Sequence, residues 1–393
     1  MFLTAGYFIE MKLLVVSHTE HYLKNGTVVG WGPTVRELDH LANLFDEIIH
    51  IAMLHTGPAP DSAIPYQSPR VKLCPIPSAG GSGLAAKLRI MAIIPGFIRK
   101  FLRELRTADV VHVRCPASIS MIAIVLLALK RNPATRWIKY AGNWQPRGPE
   151  SWSYAFQRWW LKTGFHRGLV TVNGRWPAQP QHVFSFVNPC LTQEELMQAQ
   201  TVSLTQQLSM PMRLIYVGRL ESAKGAGRAL DILASLRPMG LSATLDLIGD
   251  GPERAAFEKK AEQLGVKHLT RFHGWMPRAA LVPLYAQSHF MILPCSSSEG
   301  WPKVLSEAMA YGVIPIAGNV SSIPQLLEAF GAGRAIEPEN VKAFCQAIQD
   351  YYRNPAGWKG ESAKAVQAAA SFTYDRYLEA VRNLLGLTRN CEA

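Results

Sequence analysis

The chain lacks most of the signatures that settle a protein's class quickly. Its six cysteines, Cys74, Cys115, Cys190, Cys295, Cys345 and Cys391, are scattered, with no Cys-x-x-Cys pair and no histidine at ligand spacing. That argues against a disulfide framework and a zinc site. No Asp-x-Asp occurs, which removes the usual cue for a metal holding a nucleotide diphosphate. No uncharged apolar run reaches the roughly 18 residues of a membrane span. The best candidate, "ASISMIAIVLLALK" (117–130), reads as a buried helix. "MFLTAGYFIE" has no basic region and no cleavable apolar core, so no signal peptide is expected there. "MKLLVVSH" from Met11 looks like a natural first strand, which makes residues 1–10 an expected upstream start and a cytoplasmic location the default.

What is present is an ordinary globular composition. At 393 residues, 48% hydrophobic and 18% charged, the chain is too long for one core, and two domains are the prior. The net charge of +12 is uneven: residues 1–200 hold 21 Lys/Arg against 12 Asp/Glu, the remainder 20 against 17. Much of the excess lies in "KLRIMAIIPGFIRKFLRELR" (87–106), an amphipathic segment with six basic residues and one acid. It reads either as a solvated helix covering a sheet or as a surface for anionic lipid or an acidic substrate. No nucleic-acid motif accompanies the charge, so no nucleic-acid partner is expected.

From residue 211 short apolar runs alternate with helical stretches: "RLIYVG", "TLDLIG", "TRFHG", "HFMILP", "VIPIAG" and "GRAIEP", with helices starting near Gly225, Glu253, Arg278, Pro302, Ser321 and Val341. The first half repeats that grammar through "KLLVVSH", "EIIHIAML", "KLCPIP", "VVHVRC", "WIKYAG", "LVTVNG" and "HVFSFVN". Such alternation implies parallel sheets with helices on both faces. The expected fold is α/β, two Rossmann-like domains (1–195 and 205–371) facing across a cleft, joined by the polar stretch 194–211.

Chemistry concentrates at the strand ends of the second half, where open α/β sheets bind ligands. "SSSEGWPKVLSEAMAYG" (296–312) puts Glu299 in a strand-to-helix loop and Glu307 inside the helix, with Pro302 suited to the first helical position. In the turn Gly300, Trp301, Pro302 and Lys303 the free N–H groups of Trp301 and Lys303 point out of the helix start, where they can hold an anion. On the plain reading, Lys303 and Glu307, four apart, form a surface ion pair. "YVGRLESAKG" sets Gly218, Arg219 and Lys224 at another strand end, a pair of cations suited to a diphosphate. "IGDGPER" supplies Gly249 and Gly251, where backbone can approach a ligand.

In order and spacing, "VGRLESAKG", "LIGDGPER", "FHGWMP" and "SSSEGWPKVLSEAMAYGVIPIAG" resemble the carboxyl half of retaining GT-B-fold glycosyltransferases, family 4 (group 1). The first half is similar mainly in layout. The resemblance implies a hexosyl transfer, metal-free and without cofactor, from a nucleoside-diphosphate sugar to a saccharide or lipid-linked acceptor in bacterial cell-surface polysaccharide synthesis. It implies that Glu307 binds the ribose hydroxyls, which a carboxylate can accept in pairs. It sets Glu299 beside the donor sugar and gives Arg219 and Lys224 the diphosphate, stabilising the charge that grows as the sugar leaves. By the same resemblance Gly274, Trp275 and Met276 line the base, and the final segment 372–393 packs back on the first domain as a helix. A site peripheral to the inner face of the plasma membrane fits both the function and the basic excess.

On the acceptor side the resemblance matches Gly30 and Gly32 to a flexible glycine loop after the first strand. At Arg114 relatives often carry a second histidine, so no histidine role transfers there. His112 and Arg114 share one face of their strand, Arg114 nearer the cleft. Asn143, Trp144 and Arg147 are candidate acceptor contacts, Trp144 reading equally as a residue packed under its loop. Two alternatives remain, a GT-B-fold sugar-nucleotide epimerase and a catalytically silent scaffold subunit. The spacing of Arg219, Lys224 and the two glutamates opposes the first, and the presence of all four opposes the second.

Overall fold

Runs of aliphatic and β-branched residues form the strands of two parallel sheets, and amphipathic stretches between them form the covering helices. The structure, a computed structural model, describes residues 11–78, 84–146, 148, 150–296 and 300–387, with the backbone helix alone described at 84–90. The first half contains β1 (Lys12–Lys24), β2 (Thr27–Trp31), α1 (Gly32–Leu41), β3 (Glu47–Leu54), β4 (Ala63–Pro65), β5 (Val71–Pro77) and α2 (Leu84–Leu105). It continues with β6 (Val110–Cys115), α3 (Ser118–Ala128), β7 (Thr135–Tyr140), α4 (Trp152–Thr163), β8 (Leu169–Val172), β9 (Val183–Ser185) and α5 (Gln193–Ser203). The second half contains β10 (Met212–Val217), α6 (Ala226–Leu236), β11 (Ala243–Ile248), α7 (Arg254–Gln263), β12 (Thr270–Gly274), α8 (Arg278–Gln287) and β13 (Phe290–Leu293). It closes with α9 (Lys303–Ala310), β14 (Ile314–Gly318), α10 (Ile323–Phe330), β15 (Arg334–Ile336), α11 (Val341–Arg353), α12 (Pro355–Ala369) and α13 (Tyr374–Leu385).

Both sheets follow one order. The parallel part of the first runs β5-β3-β1-β6-β7-β8-β9 and the second β12-β11-β10-β13-β14-β15. In each the chain winds outward from its first strand, returns, and winds the other way. The reversal falls between β1 and β6 and between β10 and β13, and loops leaving those neighbours diverge into a crevice at their carboxyl ends.

One face of the first sheet is covered by α2, α3 and α4 through Phe97, Phe101, Ile119, Ala123 and Leu161. The other is covered by α1 and α13, through Leu38, Leu41, Tyr377, Leu378 and Val381. The last helix of the chain therefore lies beside α1. α5 occupies much of the expected linker and is a firm element. Thr192 and Glu195 form a reciprocal capping box at its start, and Leu196 and Ala199 are buried. No described helix is long and apolar enough to cross a membrane.

Candidate functional site

The cations of the second domain sit on a loop that its own strand fastens. Tyr216, buried near the end of β10, donates its hydroxyl to the Arg219 carbonyl at 2.8 Å and lies 3.4 Å from the Lys224 carbonyl. Arg219 itself is 68% exposed and pairs with Glu221 at 2.6 Å. Lys224 closes the 3-10 turn Ser222–Lys224, and burial lowers its pKa against the raising effect of Cys295 and Glu221. Gly225 follows with φ +89°, and a Cβ there would stand 2.3 Å from the Pro294 carbonyl oxygen. Only glycine lets this turn pass so close to the end of β13. Ser296 N–H donates to the Ala223 carbonyl at 3.0 Å, and Arg228 Nε donates to the Pro294 carbonyl at 2.8 Å, so the two strand-end loops are tied together. Glu299, the donor-sugar carboxylate expected from the resemblance, lies outside the described residues.

The glycines at the neighbouring strand ends let loops pack closely on one another. A Cβ on Gly249 would meet the Gly218 carbonyl oxygen at 2.0 Å, and one on Gly251 the Leu220 carbonyl oxygen at 2.5 Å. They let backbone approach backbone, setting the spacing of the β10 and β11 loops. Gly249 N–H then donates to the Gly274 carbonyl at 2.8 Å, drawing in the end of β12. Beyond it Trp275 is 43% exposed and Met276 packs partly against the core.

Helix α9 starts one residue later than its sequence suggests, with Pro302 as the N-cap and Lys303 first. Trp301 is turned inward: its Nε1 donates to Ser306 Oγ at 2.7 Å and its ring stacks on Phe372. Only its backbone is left to face a ligand. Gly300 touches the first domain. Its N–H donates to the Ala141 carbonyl at 3.2 Å, and a Cβ would stand 2.1 Å from Asn173 Nδ2.

Lys303 and Glu307 do not form the expected i,i+4 pair. Lys303 reaches across to Glu37 at 3.8 Å and the Pro33 carbonyl at 3.5 Å, and Glu307 is held by Arg278, with the Tyr285 hydroxyl at 3.4 Å. Arg278 also pairs with Glu195 at 2.9 Å, and Glu195 with Arg36 at 2.9 Å. The resulting ladder, Arg36–Glu195–Arg278–Glu307, runs from α1 through α5 and α8 to α9. Sequence reasoning missed Arg278; its position at the start of α8, directly after "FHGWMP", was the available signal.

On the first domain the expected acceptor residues separate. Gly30 lies within β2, paired antiparallel to the end of β1, where a Cβ would be 2.6 Å from the His21 ring. Gly32 opens α1. Neither belongs to a loose glycine loop, because β1 continues into a hairpin. Trp144 is 2% exposed, edge-on to Tyr140, and so packs under its loop and makes no exposed contact. Asn143 caps its own turn through the Gln145 N–H at 3.1 Å, and Arg147 lies outside the described residues.

Arg114 is joined by partners the sequence did not announce. Its guanidinium donates to both oxygens of Glu37, at 2.7 and 3.3 Å; Glu37 Oε1 also accepts from Lys139 at 2.7 Å and from the Tyr377 hydroxyl at 2.8 Å. Glu37 is fully buried; burial alone would raise its pKa, and Arg114, Lys139 and Lys303 together hold it well below the usual carboxylate range. Among the described residues no group of three His, Cys, Asp or Glu side chains is placed to hold a metal.

Residues 206–371 match the family of glycosyl transferases group 1. Glycogen synthase of Mycobacterium tuberculosis is 28% identical over 161 residues, 41% of this chain and 39% of that protein. The chain thus spans about two fifths of the length of that curated relative. Sucrose-phosphate synthase from Thermosynechococcus elongatus has a similar structure, TM-score 0.70 at 17% identity, over 96% of this chain and 100% of that one. So has Alr3699/HepE of Anabaena, solved with UDP and glucose, TM-score 0.66 at 15% identity, again over 96% and 100%. These likenesses establish the fold as GT-B, two Rossmann-like domains facing across a cleft.

Proposed function

We propose, from the premise that residues 206–371 are a domain of the glycosyl transferases group 1 family, that the protein is a retaining glycosyltransferase of EC class 2.4. It moves a sugar from a nucleoside-diphosphate donor to a saccharide or lipid-linked acceptor in polysaccharide synthesis. The observation that carries this reading is the joined pair of loops at the β10/β13 switch point, with Arg219 and Lys224 on one and the N–H groups of Trp301 and Lys303 on the other. That arrangement suits a diphosphate whose charge rises as the sugar–oxygen bond breaks. Arg219 and Lys224 supply the positive charge, so the proposal requires no metal. Glu307 takes the ribose hydroxyls on exchanging part of its contact with Arg278, and Trp275 and Met276 flank the base. The UDP and glucose in the Anabaena structure support the donor class.

A thermal-shift screen against UDP-, GDP-, ADP- and dTDP-sugars tests it. One donor class should raise Tm in wild type and fail to do so in Lys224→Ala. A flat response to all four in wild type rejects the donor reading.

The proposal includes attachment to an anionic membrane through the first domain. Between Val110 and Gln193 the chain carries ten Lys/Arg and a single acid, Glu150. On the α2–α4 side Leu129, Trp152, Trp159 and Phe165 are exposed. Exposed aromatics among cations suit a lipid headgroup region.

A further inference from the structure

The buried cluster around Glu37 is not electrically balanced. Three cations, Arg114, Lys139 and Lys303, converge on one carboxylate, and the side chains of Glu37 and Lys139 are 0% and 6% exposed. Lys139 carries three N–H donors and spends one on Glu37; the Tyr377 ring, 5.5 Å from its Nζ, takes no hydrogen bond from it. Lys303 has only long contacts, 3.5 Å to Pro33 and 3.8 Å to Glu37. Buried charge left unpaired is costly, and a site with surplus cations lowers that cost by taking up an anion.

The surplus is also accessible and well placed. Arg114 and Lys139 are register partners on β6 and β7, at the carboxyl ends of strands next to the first domain's switch point. Their face is the one under α1 and α13. Lys303 enters from the opposite domain and keeps 23% of its side chain exposed, and Arg114 keeps 14%. What exposure the cluster keeps is therefore on Arg114 of the first domain and Lys303 of the second, where the two domains meet.

We infer that the side chains of Arg114, Lys139 and Lys303 form a second anion site, apart from the Arg219 and Lys224 cations of the donor and bordering that site only at Lys303, and that it takes a phosphate, sulfate or carboxylate group of the acceptor. Its assignment to the acceptor rests on the transferase reading; the anion site itself does not. Lys139 makes the site sensitive to pH. Burial and the neighbouring Arg114 and Lys303 charges bring its pKa down to about 7 against the raising effect of Glu37. The groups facing it are Glu37 on α1, His112 and Arg114 on β6, Tyr377 on α13 and Lys303 on α9. Of these Glu37 stays ionised, and burial keeps His112 neutral and Tyr377 protonated.

Sulfate is the probe, because its charge is constant from pH 6 to 9. Calorimetric titration at fixed ionic strength should show one saturable site in wild type at millimolar sulfate. Lys139→Met should weaken it about tenfold or more, as loss of a charged hydrogen bond does. Lys139→Arg should bind within a few fold of wild type. Wild-type affinity should fall as pH rises from 6 to 9, since the anion needs the protonated amine, and Lys139→Arg should show a smaller fall, because burial lowers the Lys303 pKa as well. The double variant Arg219→Ala/Lys224→Ala, which removes the donor diphosphate's cations, should keep the site. If Lys139→Met does not fold, the pH contrast between wild type and Lys139→Arg decides alone. The inference is overturned if wild type shows no saturable sulfate binding, if the double variant loses it, or if wild type and Lys139→Arg share one pH profile. Sulfate binding without any donor response would leave the anion site standing and remove the transferase.

Discussion

At the end of β10 the second domain carries its cations on a loop, Arg219 with 68% of its side chain exposed. At the ends of β6 and β7 the first domain keeps Arg114 and Lys139 under two helices, 14% and 6% exposed. Both are carboxyl ends of parallel strands in sheets of one order, although β10 corresponds to β1, and β6 and β7 to β13 and β14. Identical topology thus offers two ways of presenting positive charge. A solvated loop cation costs little to keep and can follow a moving diphosphate. A buried cation needs a fixed counter-charge, so it recognises a group that stays in place.

The largest expected effect tests the loop side. The diphosphate gains charge as the bond breaks, so its cations should act more in the transition state than on binding. Lys224→Ala should lower kcat by about 100-fold or more, with Arg219→Ala similar, as removal of a charge-stabilising donor does. Steady-state kinetics that keep full turnover in Lys224→Ala would end the comparison, since the loop cations would then play no part in the reaction.

Glu307→Gln should instead weaken donor binding about 10- to 150-fold with a smaller change in kcat, because ribose hydroxyls carry no changing charge. The ladder sharpens this expectation. Arg278→Met frees Glu307 from its ion pair with Arg278, so donor KM should move much less than in Glu307→Gln. Equal losses in both variants would mean that the ladder, and not ribose contact, is what Glu307 serves.

How far each side could be read in advance follows from the same contrast. Alternating runs such as "RLIYVG" and "HFMILP" announced two parallel sheets, because strands buried on both faces are apolar throughout. The loop cations were legible because Arg219 and Lys224 lie five residues apart. The Glu37 cluster was not, since α1, β6, β7, α13 and α9 each contribute one group and no local pattern links them. Glu307 was legible as a carboxylate in a spaced motif, and its partner Arg278 was not, because packing of α8 on α9 chose it over Lys303. The hairpin of β1 and β2 was not legible, since "HTEHYLK" is more polar than a core strand; it runs on past the pairing with β6 and folds back against β2.

The basic surface of the first domain gives a third test. Arg99 on α2 and Arg106 just past its end are exposed. Reversing both to Glu should cost roughly 2 kcal/mol or more of binding to anionic vesicles at about 1 kcal/mol per charge, some 30-fold in partition. Flotation should show this loss at low salt, and wild type should detach at high salt. Unchanged flotation of the double variant would move the attachment elsewhere.

The smallest effects compare one hydroxyl in each domain. Tyr216 donates to a neutral carbonyl, that of Arg219 at 2.8 Å, and Tyr377 donates to the ionised Glu37 at the same distance. Both rings are buried, so Phe fills either position and only the hydrogen bond is lost. A bond to a charged acceptor is worth about 1.5–3 kcal/mol and a neutral one about 1. Chemical denaturation should therefore rank Tyr377→Phe as more destabilising than Tyr216→Phe. Turnover should rank them the other way. Tyr216→Phe loosens the loop that presents Arg219 and Lys224 and should lower kcat a few fold with donor KM nearly unchanged, whereas Tyr377→Phe leaves the donor loop intact. If Tyr216→Phe proves the more destabilising and leaves kcat untouched, the loop does not depend on its strand for its position, and the contrast between loop-borne and buried cations fails at its weaker end.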